Sequence, residues 1–230
     1  MTVRAAGLFM IVAAVATNLL FLGLGAVFDY PEVLRREPAE ILGAFRADQG
    51  AVTALFAGLA ATAALLVPIS VTIGGLGRGE RARLSVAVGV LAGLVQVLGL
   101  LRWVYEVPVL AAEPVGEAAV TTFRALHAYL GVGVGEALGY LGTAAWTVLV
   151  VTGPLRQRGL LRLLGVAAAA AVAVGVAEPF GLAAAGTVNF AGYLAWSVWL
   201  AVTGASLARR PATASGPAVT PPGPVRVAAG

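Results

Sequence analysis

Six apolar runs, each long enough to cross a bilayer as a helix, dominate this sequence. A membrane-spanning helix needs about 20 mostly apolar residues. Runs of this kind lie at 5–28, 50–74, 84–105, 126–152, 160–177 and 183–207. They occupy most of the 230 residues, so no second large domain fits beside them. The sequence therefore predicts an all-α, polytopic six-helix transmembrane bundle over residues 1–208.

The composition agrees with an integral membrane protein, since 60% of the residues are hydrophobic and only 11% are charged. Soluble domains average about 25% charged residues. Arg4 precedes the first run, as in a signal peptide, but an apolar run of about 24 residues exceeds the usual 7–15 of a signal sequence. We therefore expect the first run to be a retained helix. The chain has no cysteine, which excludes disulfides and thiolate chemistry.

Arginines are shared unequally between the two sides of this predicted bundle. The N-terminus, the second and fourth loops and the tail carry ten arginines, with Glu80 as the single acid among them. The first, third and fifth loops carry five arginines and nine acids. The positive-inside rule therefore predicts that both termini are cytoplasmic. Topology explains the basic net charge, so a nucleic-acid partner is not indicated.

Two segments outside the apolar runs have recognisable patterns. The tail at 209–230 is rich in proline, alanine and glycine, which predicts a disordered cytoplasmic extension. In the first outer loop, Pro31 and Pro38 stand where first helical turns begin. Three apolar residues that follow share one helical face: Ile41, Leu42 and Phe45. This loop is predicted to form short amphipathic helices, which either cap the bundle or only connect two spans.

The fourth run contains the carboxylate of Glu136 among many glycines. At 100° per residue, four other polar side chains fall within about 40° of it: Tyr129, Tyr140, Thr143 and Thr147. Four glycines cluster on the far side with the small-xxx-small spacing of closely packed helices: Gly131, Gly135, Gly139 and Gly142. The pattern predicts a glycine face packed on a neighbour and a polar stripe turned to the bundle interior. A phosphate-binding loop is not indicated, because the spacing is not GxGxxG and no strand precedes it.

Other polar side chains lie within or near the ends of the apolar runs. Ionisable residues inside a membrane usually face the interior and mark pathways or sites, so we predict a polar pocket open to the outside around Glu136. The candidate ligand-binding residues are Glu136, Tyr140, Tyr129, Asn189, Tyr193, Gln96, Asn18, Arg102 and His127. The alternative for asparagine and glutamine is simple hydrogen bonding between helices. A structural role for the carboxylate also stays open.

The fourth and sixth runs contain partly similar sequences. Residues 136–146 (EALGYLGTAAW) align with 189–199 (NFAGYLAWSVW), which places Glu136 beside Asn189 and Tyr140 beside Tyr193. The match is either a true internal repeat or chance in low-complexity helices. Both runs cross the membrane in the same direction, so their similar faces are predicted to point into one shared space.

Enzyme motifs are missing from the chain. HExxH, GxSxG, Walker sequences and paired acids within a span do not occur. One histidine and no cysteine make a transition-metal site improbable. We therefore expect no catalytic residues, no metal and no cofactor, and the sequence favours a protein that is not an enzyme.

Several segments together resemble a bacterial membrane-protein family known as domain of unknown function 4386. They are FDYPEVLR (28–35), LGLLRWVYEVPVL (98–110), LHAYLGVGVGEALGYLGTAAWTVL (126–149), EPFG (178–181) and the spaced N, GY, W and WL of 189–200. The resemblance covers nearly the whole chain except the tail. It implies a six-helix protein of the bacterial cytoplasmic membrane and no assigned activity. It also places Glu136, His127 and Tyr140 within the most recognisable stretch.

Three functions remain open from the sequence. The first is a membrane protein that binds or transports a small molecule through the outward-facing pocket around Glu136. The second is a structural or regulatory subunit that docks a partner membrane protein through its glycine-rich helix faces. The third is an intramembrane enzyme acting on lipid. The expected partners are the lipid bilayer, a small-molecule ligand, and a second copy or another membrane protein.

Overall fold

The computed structural model describes residues 1–112 and 115–210, and the regular secondary structure of this part of the chain is entirely helical. Six of its helical segments are long and apolar enough to cross a membrane, and we call them spans 1 to 6: Val3–Phe28, Gln49–Gly74, Glu80–Leu110, Glu117–Thr152, Gly159–Phe180 and Ala185–Ala208. The predicted all-α class and the six spans are confirmed. Most of the predicted tail, at 211–230, lies outside the described residues.

Four of the spans consist of more than one helical piece. The α-helices are Val3–Phe28, Pro38–Ala47, Gln49–Ala64, Leu66–Gly74, Glu80–Tyr105, Val107–Leu110, Glu117–Leu126, Gly139–Thr152, Gly159–Val174 and Ala185–Ala208. Single 3₁₀ segments form at Glu32–Arg35 and Gly175–Phe180. A π-helix covers His127–Leu138 in the middle of span 4. Spans 2 and 3 are thus interrupted at single residues, Leu65 and Glu106, whereas spans 4 and 5 change helical type along their length.

The first loop forms a cap on the bundle. Of the short helices predicted there, the one beginning at Pro38 forms as an α-helix, while Pro31 is followed only by a four-residue 3₁₀ segment. Pro38 stands in the first turn of Pro38–Ala47, where a missing N–H costs nothing. Ile41, Leu42 and Phe45 are all buried. Phe45 packs against Trp103 of span 3, with ring centroids 6.1 Å apart. The loop therefore covers the core and does more than connect two spans.

Span 4 differs most from its predicted form. It begins at Glu117 and not at 126, because Glu117–Leu126 forms an amphipathic helix whose Phe123 packs on Trp103. Polar residues in Glu117–Leu126 lower its hydropathy, so a search for apolar runs does not include this segment. Beyond it, the π-helix has i→i+5 hydrogen bonds, so each residue turns the chain by less than the 100° of an α-helix. Predictions that placed side chains at 100° per residue are therefore altered across His127–Leu138.

Two aromatic clusters hold the ends of the bundle. At the end formed by the first, third and fifth loops, Trp103 stacks on Phe56 at 4.8 Å and 6°. At the opposite end, Trp146 and Trp199 meet edge to face at 6.0 Å. Aromatic pairs contribute about 0.5–1.5 kcal/mol beyond burial of area. We call these two ends the acidic end and the basic end, after the charges of their loops.

Glycines let neighbouring spans touch along their backbones. A Cβ at Gly7 would lie 2.5 Å from the Gly204 carbonyl oxygen, and a Cβ at Gly99 would lie 2.5 Å from the Gly135 Cα. Membrane helices gain no hydrophobic force from each other, so close van der Waals packing between small residues is what joins them. Spans 1 and 6, and spans 3 and 4, associate in this way.

Candidate functional site

Five charged or phenolic side chains, one from each of five segments, lie within Coulombic range of Glu136 near the acidic end of the bundle. Coulombic interactions join Glu136 to Arg102 and Glu178. They also join it to three tyrosines: Tyr30, Tyr140 and Tyr193. We call these six residues the Glu136 cluster. It combines side chains from the first loop, from spans 3, 4 and 6, and from the end of span 5.

Arg102 supplies the buried cation of the cluster. Arg102 is only 6% exposed. Its Nη1 donates a hydrogen bond to the Gly99 carbonyl of the same helix, and its Nε has no hydrogen-bond partner among the described residues. The guanidinium also lies 5.4 Å over the Trp103 ring. It fits beside span 4 because Gly131 has no side chain, since a Cβ there would lie 2.8 Å from Nη2. Span 4 therefore leaves a space that this arginine enters.

Glu136 and Arg102 interact without a direct ion pair. The ion pairs of the described residues involve other side chains, so the carboxylate and the guanidinium are more than 4.0 Å apart. Burying a charge without a partner is costly, and such groups normally find an opposite charge or a hydrogen bond. The two side chains therefore influence each other across a gap, without the direct contact of an ion pair.

Tyr30 brings the first loop into the cluster, as the one cluster residue between spans 1 and 2. Its ring stacks on Phe21 at 6.0 Å and meets Phe56 edge to face at 5.5 Å. Burial, with a smaller contribution from the Glu136 carboxylate, raises the pKa of Tyr30 to about 12. Its hydroxyl is therefore neutral at physiological pH and able to donate a hydrogen bond.

Tyrosines of spans 4 and 6 form the wall next to Glu136. The Tyr140 and Tyr193 rings lie edge to face with centroids 5.7 Å apart. Asn189 donates from Nδ2 to the Val172 carbonyl at 2.6 Å. A Cβ at Gly175 would lie 2.8 Å from Tyr140 Cδ2 of span 4 and still closer to Asn189 Nδ2 of span 6. Glycine is therefore needed where span 5 approaches spans 4 and 6. The similar segments of spans 4 and 6 therefore contact each other at this tyrosine pair.

Two candidates from the sequence, Asn18 and Gln96, take part in hydrogen bonds between spans. Asn18 donates to the Ser197 hydroxyl at 2.9 Å, and Gln96 donates to the Thr143 hydroxyl at 3.2 Å. Both make the interhelical hydrogen bonds that the alternative interpretation expected.

Tyr129 does not share the stripe of Glu136, and that expectation is wrong. Its side chain is 70% exposed on the outside of the bundle. The α-helical rotation placed it within about 20° of Glu136, but the π-helix that joins the two residues turns more slowly per residue. Across the seven intervening steps, this difference carries Tyr129 away from the interior.

His127 lies next to Arg102 and not next to Glu136. Its ring stacks on Phe123 at 5.8 Å and 4°, and its Nδ1 is enclosed without a hydrogen-bond partner among the described residues. Both side chains border Gly131, because a Cβ there would lie 2.8 Å from Arg102 Nη2 and 3.2 Å from His127 Nδ1. The imidazole therefore borders the arginine side of the cluster.

Sequence reasoning missed Tyr30, in the first loop, and Glu178, in the 3₁₀ segment that ends span 5. Glu178 lies at the end of span 5, and its two oxygens would be 2.9 and 3.0 Å from a Cβ on Gly186, at the start of span 6. Each residue precedes a proline in a short segment, DYPEV and EPFG. Those segments were part of the family resemblance, and that was the signal available for finding them.

The glycine face of span 4 packs on span 3 of the same chain, as predicted. From the acidic end inwards, its four glycines approach four residues of span 3: Arg102, Gly99, Gln96 and Ala92. A Cβ at Gly139 would lie 2.9 Å from Gln96 Cγ, and one at Gly142 would lie 2.8 Å from Ala92 Cβ. This face is occupied within the chain and is not free to dock a partner.

Together, the six apolar helices and the regular structure of the described residues define a multi-pass membrane protein of the all-helical bundle class. The chain belongs to the family described as Domain of unknown function (DUF4386), whose model matches residues 5–204. No curated protein and no solved structure shows significant similarity to it.

Proposed function

We propose that this integral membrane protein binds or transports a small polar molecule at the Glu136 cluster. The observation that carries the proposal is Arg102, a guanidinium 6% exposed whose Nε has no partner among the described residues. An arginine stays protonated in proteins, so an anionic group of a ligand would supply the partner that it lacks.

The arrangement favours a ligand with groups of opposite character. An anionic or acceptor group fits Arg102, while a cationic or donor group fits Glu136, which lies within Coulombic reach of the same arginine. Three tyrosines, from the first loop and from spans 4 and 6, also lie within Coulombic range of Glu136. A dipolar or zwitterionic small molecule is therefore the class that we propose.

We further propose that the protein resides in a bacterial cytoplasmic membrane with both termini inside, so that the acidic end faces outward. The tail at 209–230 would then be a cytoplasmic extension. The unequal sharing of arginines between the two ends supports this orientation. Because the chain has no native cysteine, single cysteines report orientation directly.

The orientation is tested with Glu40→Cys at the acidic end and Arg78→Cys at the basic end. In intact cells, a membrane-impermeant maleimide should label Glu40→Cys, while Arg78→Cys should react only after permeabilisation. The reverse labelling pattern would refute the proposed orientation.

Binding is tested by native mass spectrometry of the protein after mild solubilisation, reading any retained small molecule. The wild-type protein should carry one, and Glu136→Gln and Tyr140→Phe should lose it while remaining folded. Two matched controls should retain it: Glu80→Gln, an acid at the basic end, and Tyr129→Phe, the exposed tyrosine of the same span.

Two outcomes would count against the binding proposal. Equal occupancy in Tyr140→Phe and wild type, together with loss in Tyr129→Phe, would exclude the cluster as the site. An unfolded Glu136→Gln protein would assign the carboxylate a structural role.

A further inference from the structure

A second candidate site lies at the basic end, on the opposite side of the bundle from the Glu136 cluster. There, the loop between spans 4 and 5 borders an open cavity of about 530 Å³. Four arginines and no acid are among the described residues that line it, together with aliphatic side chains of span 4: Arg81, Arg156, Arg158, Arg162, Val148 and Leu149. The cavity thus has a strongly basic rim above an aliphatic floor.

The loop that carries two of these arginines is held in place by Gln157. Its Oε1 accepts from Trp199 Nε1 at 2.9 Å, and its Nε2 donates to the Thr203 hydroxyl at 3.1 Å. The neighbouring Arg156 has a left-handed backbone, with φ of 45°, a conformation that costs energy outside glycine and asparagine. The loop is therefore anchored to span 6, while Arg156 and Arg158 on either side of the anchor line the cavity.

Glycine at position 153 brings the third arginine close to this loop. A Cβ there would lie 3.1 Å from Arg81 Cβ and 2.7 Å from the Leu149 carbonyl oxygen. Span 3 can therefore approach the end of span 4 closely enough for Arg81 to join the cavity.

An apolar groove continues from the basic cavity along the outside of the bundle. It has a volume of about 550 Å³, lies between spans 4 and 5, and shares Val148 and Leu149 with the cavity above it. Its lining residues are Leu141, Ala144, Ala145, Val148, Leu149, Val166, Ala169, Ala170 and Ala173. From Leu149 to Leu141 the groove extends roughly 12 Å at 1.5 Å per residue. One half of the hydrocarbon core is about 15 Å thick.

The four arginines of the rim are available to a ligand. None of them forms an ion pair or a side-chain hydrogen bond with the described residues. Basic pockets between membrane helices bind the head groups of anionic lipids. A water-soluble anion would use only the rim, whereas the adjoining groove matches an acyl chain in position, polarity and length.

We propose that the basic cavity and the apolar groove together bind one anionic glycerophospholipid. Its phosphate lies among Arg81, Arg156, Arg158 and Arg162, and one acyl chain follows the alanine-lined groove between spans 4 and 5. This site does not depend on the function proposed for the Glu136 cluster.

The test uses the full chain in a non-ionic detergent, with phosphatidylglycerol or phosphatidylcholine added at matched concentrations. Thermal unfolding is followed by tryptophan fluorescence, since Trp199 contacts the anchored loop through Gln157. Phosphatidylglycerol should raise the unfolding midpoint in a saturable way, and phosphatidylcholine should not. An equal effect of the two lipids would overturn the proposal.

A double variant, Arg156→Asn with Arg158→Gln, removes two charges from the rim. Asparagine tolerates the left-handed backbone at position 156. With both charges gone, the apparent affinity for phosphatidylglycerol should fall roughly tenfold or more. The matched control is Arg78→Gln with Arg83→Gln, which removes the same charge from the same end without touching the cavity. An equal loss in both would assign the effect to the general surface charge and overturn the site.

A separate test distinguishes a phospholipid from a water-soluble phosphate ester as the ligand. Glycerol 3-phosphate has the head-group chemistry without acyl chains, so it should not stabilise the protein at concentrations where the lipid saturates. Ala170→Leu fills the groove and leaves every arginine in place, and it should also weaken phosphatidylglycerol binding. Stabilisation by glycerol 3-phosphate equal to that by the lipid, or undiminished lipid binding in Ala170→Leu, would refute an acyl-chain site. If the arginine double variant fails to fold, Ala170→Leu still decides the question.

Discussion

Replacing Gly99 with alanine places a methyl group where the backbones of spans 3 and 4 touch. The new Cβ would lie 2.5 Å from the Gly135 Cα and 3.1 Å from the Leu130 carbonyl oxygen. Non-bonded carbons prefer about 3.5–4.0 Å, so the two helices must separate by roughly 1 Å. Because the opposing atoms belong to the backbone, no change of rotamer relieves the clash.

The cost follows from that separation. Overpacking costs about 1–3 kcal/mol, and a rigid backbone obstruction places Gly99→Ala near the upper value. Alanine's better helix propensity returns about 1 kcal/mol, which leaves a net loss of about 2 kcal/mol in the free energy of unfolding. For a chain of this length, that loss lowers the thermal midpoint by about 4–8 °C.

The assay is thermal unfolding in detergent, followed by the fluorescence of the fully buried Trp103 and Trp146. Gly133→Ala is the matched control, because a Cβ at this exposed glycine of span 4 has only the Ala128 carbonyl oxygen nearby, at 3.5 Å. It should leave the midpoint unchanged or slightly raised. Equal midpoints for Gly99→Ala and Gly133→Ala would refute the reasoning that spans 3 and 4 join through glycine contacts.

Two further predictions concern the cap over the acidic end. The pKa of Tyr30 is raised from 10.0 to about 12, so between these pH values the unfolded chain loses a proton that the folded protein keeps, and stability should fall as pH rises. A pH series of thermal midpoints should show a smaller fall for Tyr30→Phe than for wild type, and identical profiles would contradict the assigned burial. Phe45 is fully buried against Trp103, so Phe45→Ala should cost about 3–5 kcal/mol. The thermal midpoint of Phe45→Ala is compared with that of the exposed Phe180→Ala. Equal midpoints for these two variants would argue against a cap.

Local rules were enough for the architecture and for one helix interface. Length and hydropathy predicted all six spans, because a bilayer demands about 20 apolar residues from any helix that crosses it. The four-residue spacing from Gly131 to Gly139 predicted a close helix contact, and span 3 makes that contact. Such features repeat along a single helix, so they can be read without knowing which other segment lies opposite.

Reading the candidate site from the sequence was less successful, and Tyr129 and Tyr30 show why. Tyr129 was assigned to the interior on the assumption of α-helical rotation, which the π-helix changes. Tyr30 lies in a loop, and nothing in its local pattern places it near Glu136, more than a hundred residues away. Contacts of this kind depend on how separate spans pack.

The sequence alone thus determined an all-helical membrane protein with a basic end, an acidic end and a carboxylate inside its fourth span, because hydropathy, charge and glycine spacing act along the chain. Only the tertiary structure decided which groups surround that carboxylate. The close approach of span 3 accompanies a π-helix in span 4, which sends Tyr129 outward, while the first loop brings Tyr30 into the cluster. These outcomes depend on packing between segments distant in sequence, which no local pattern encodes.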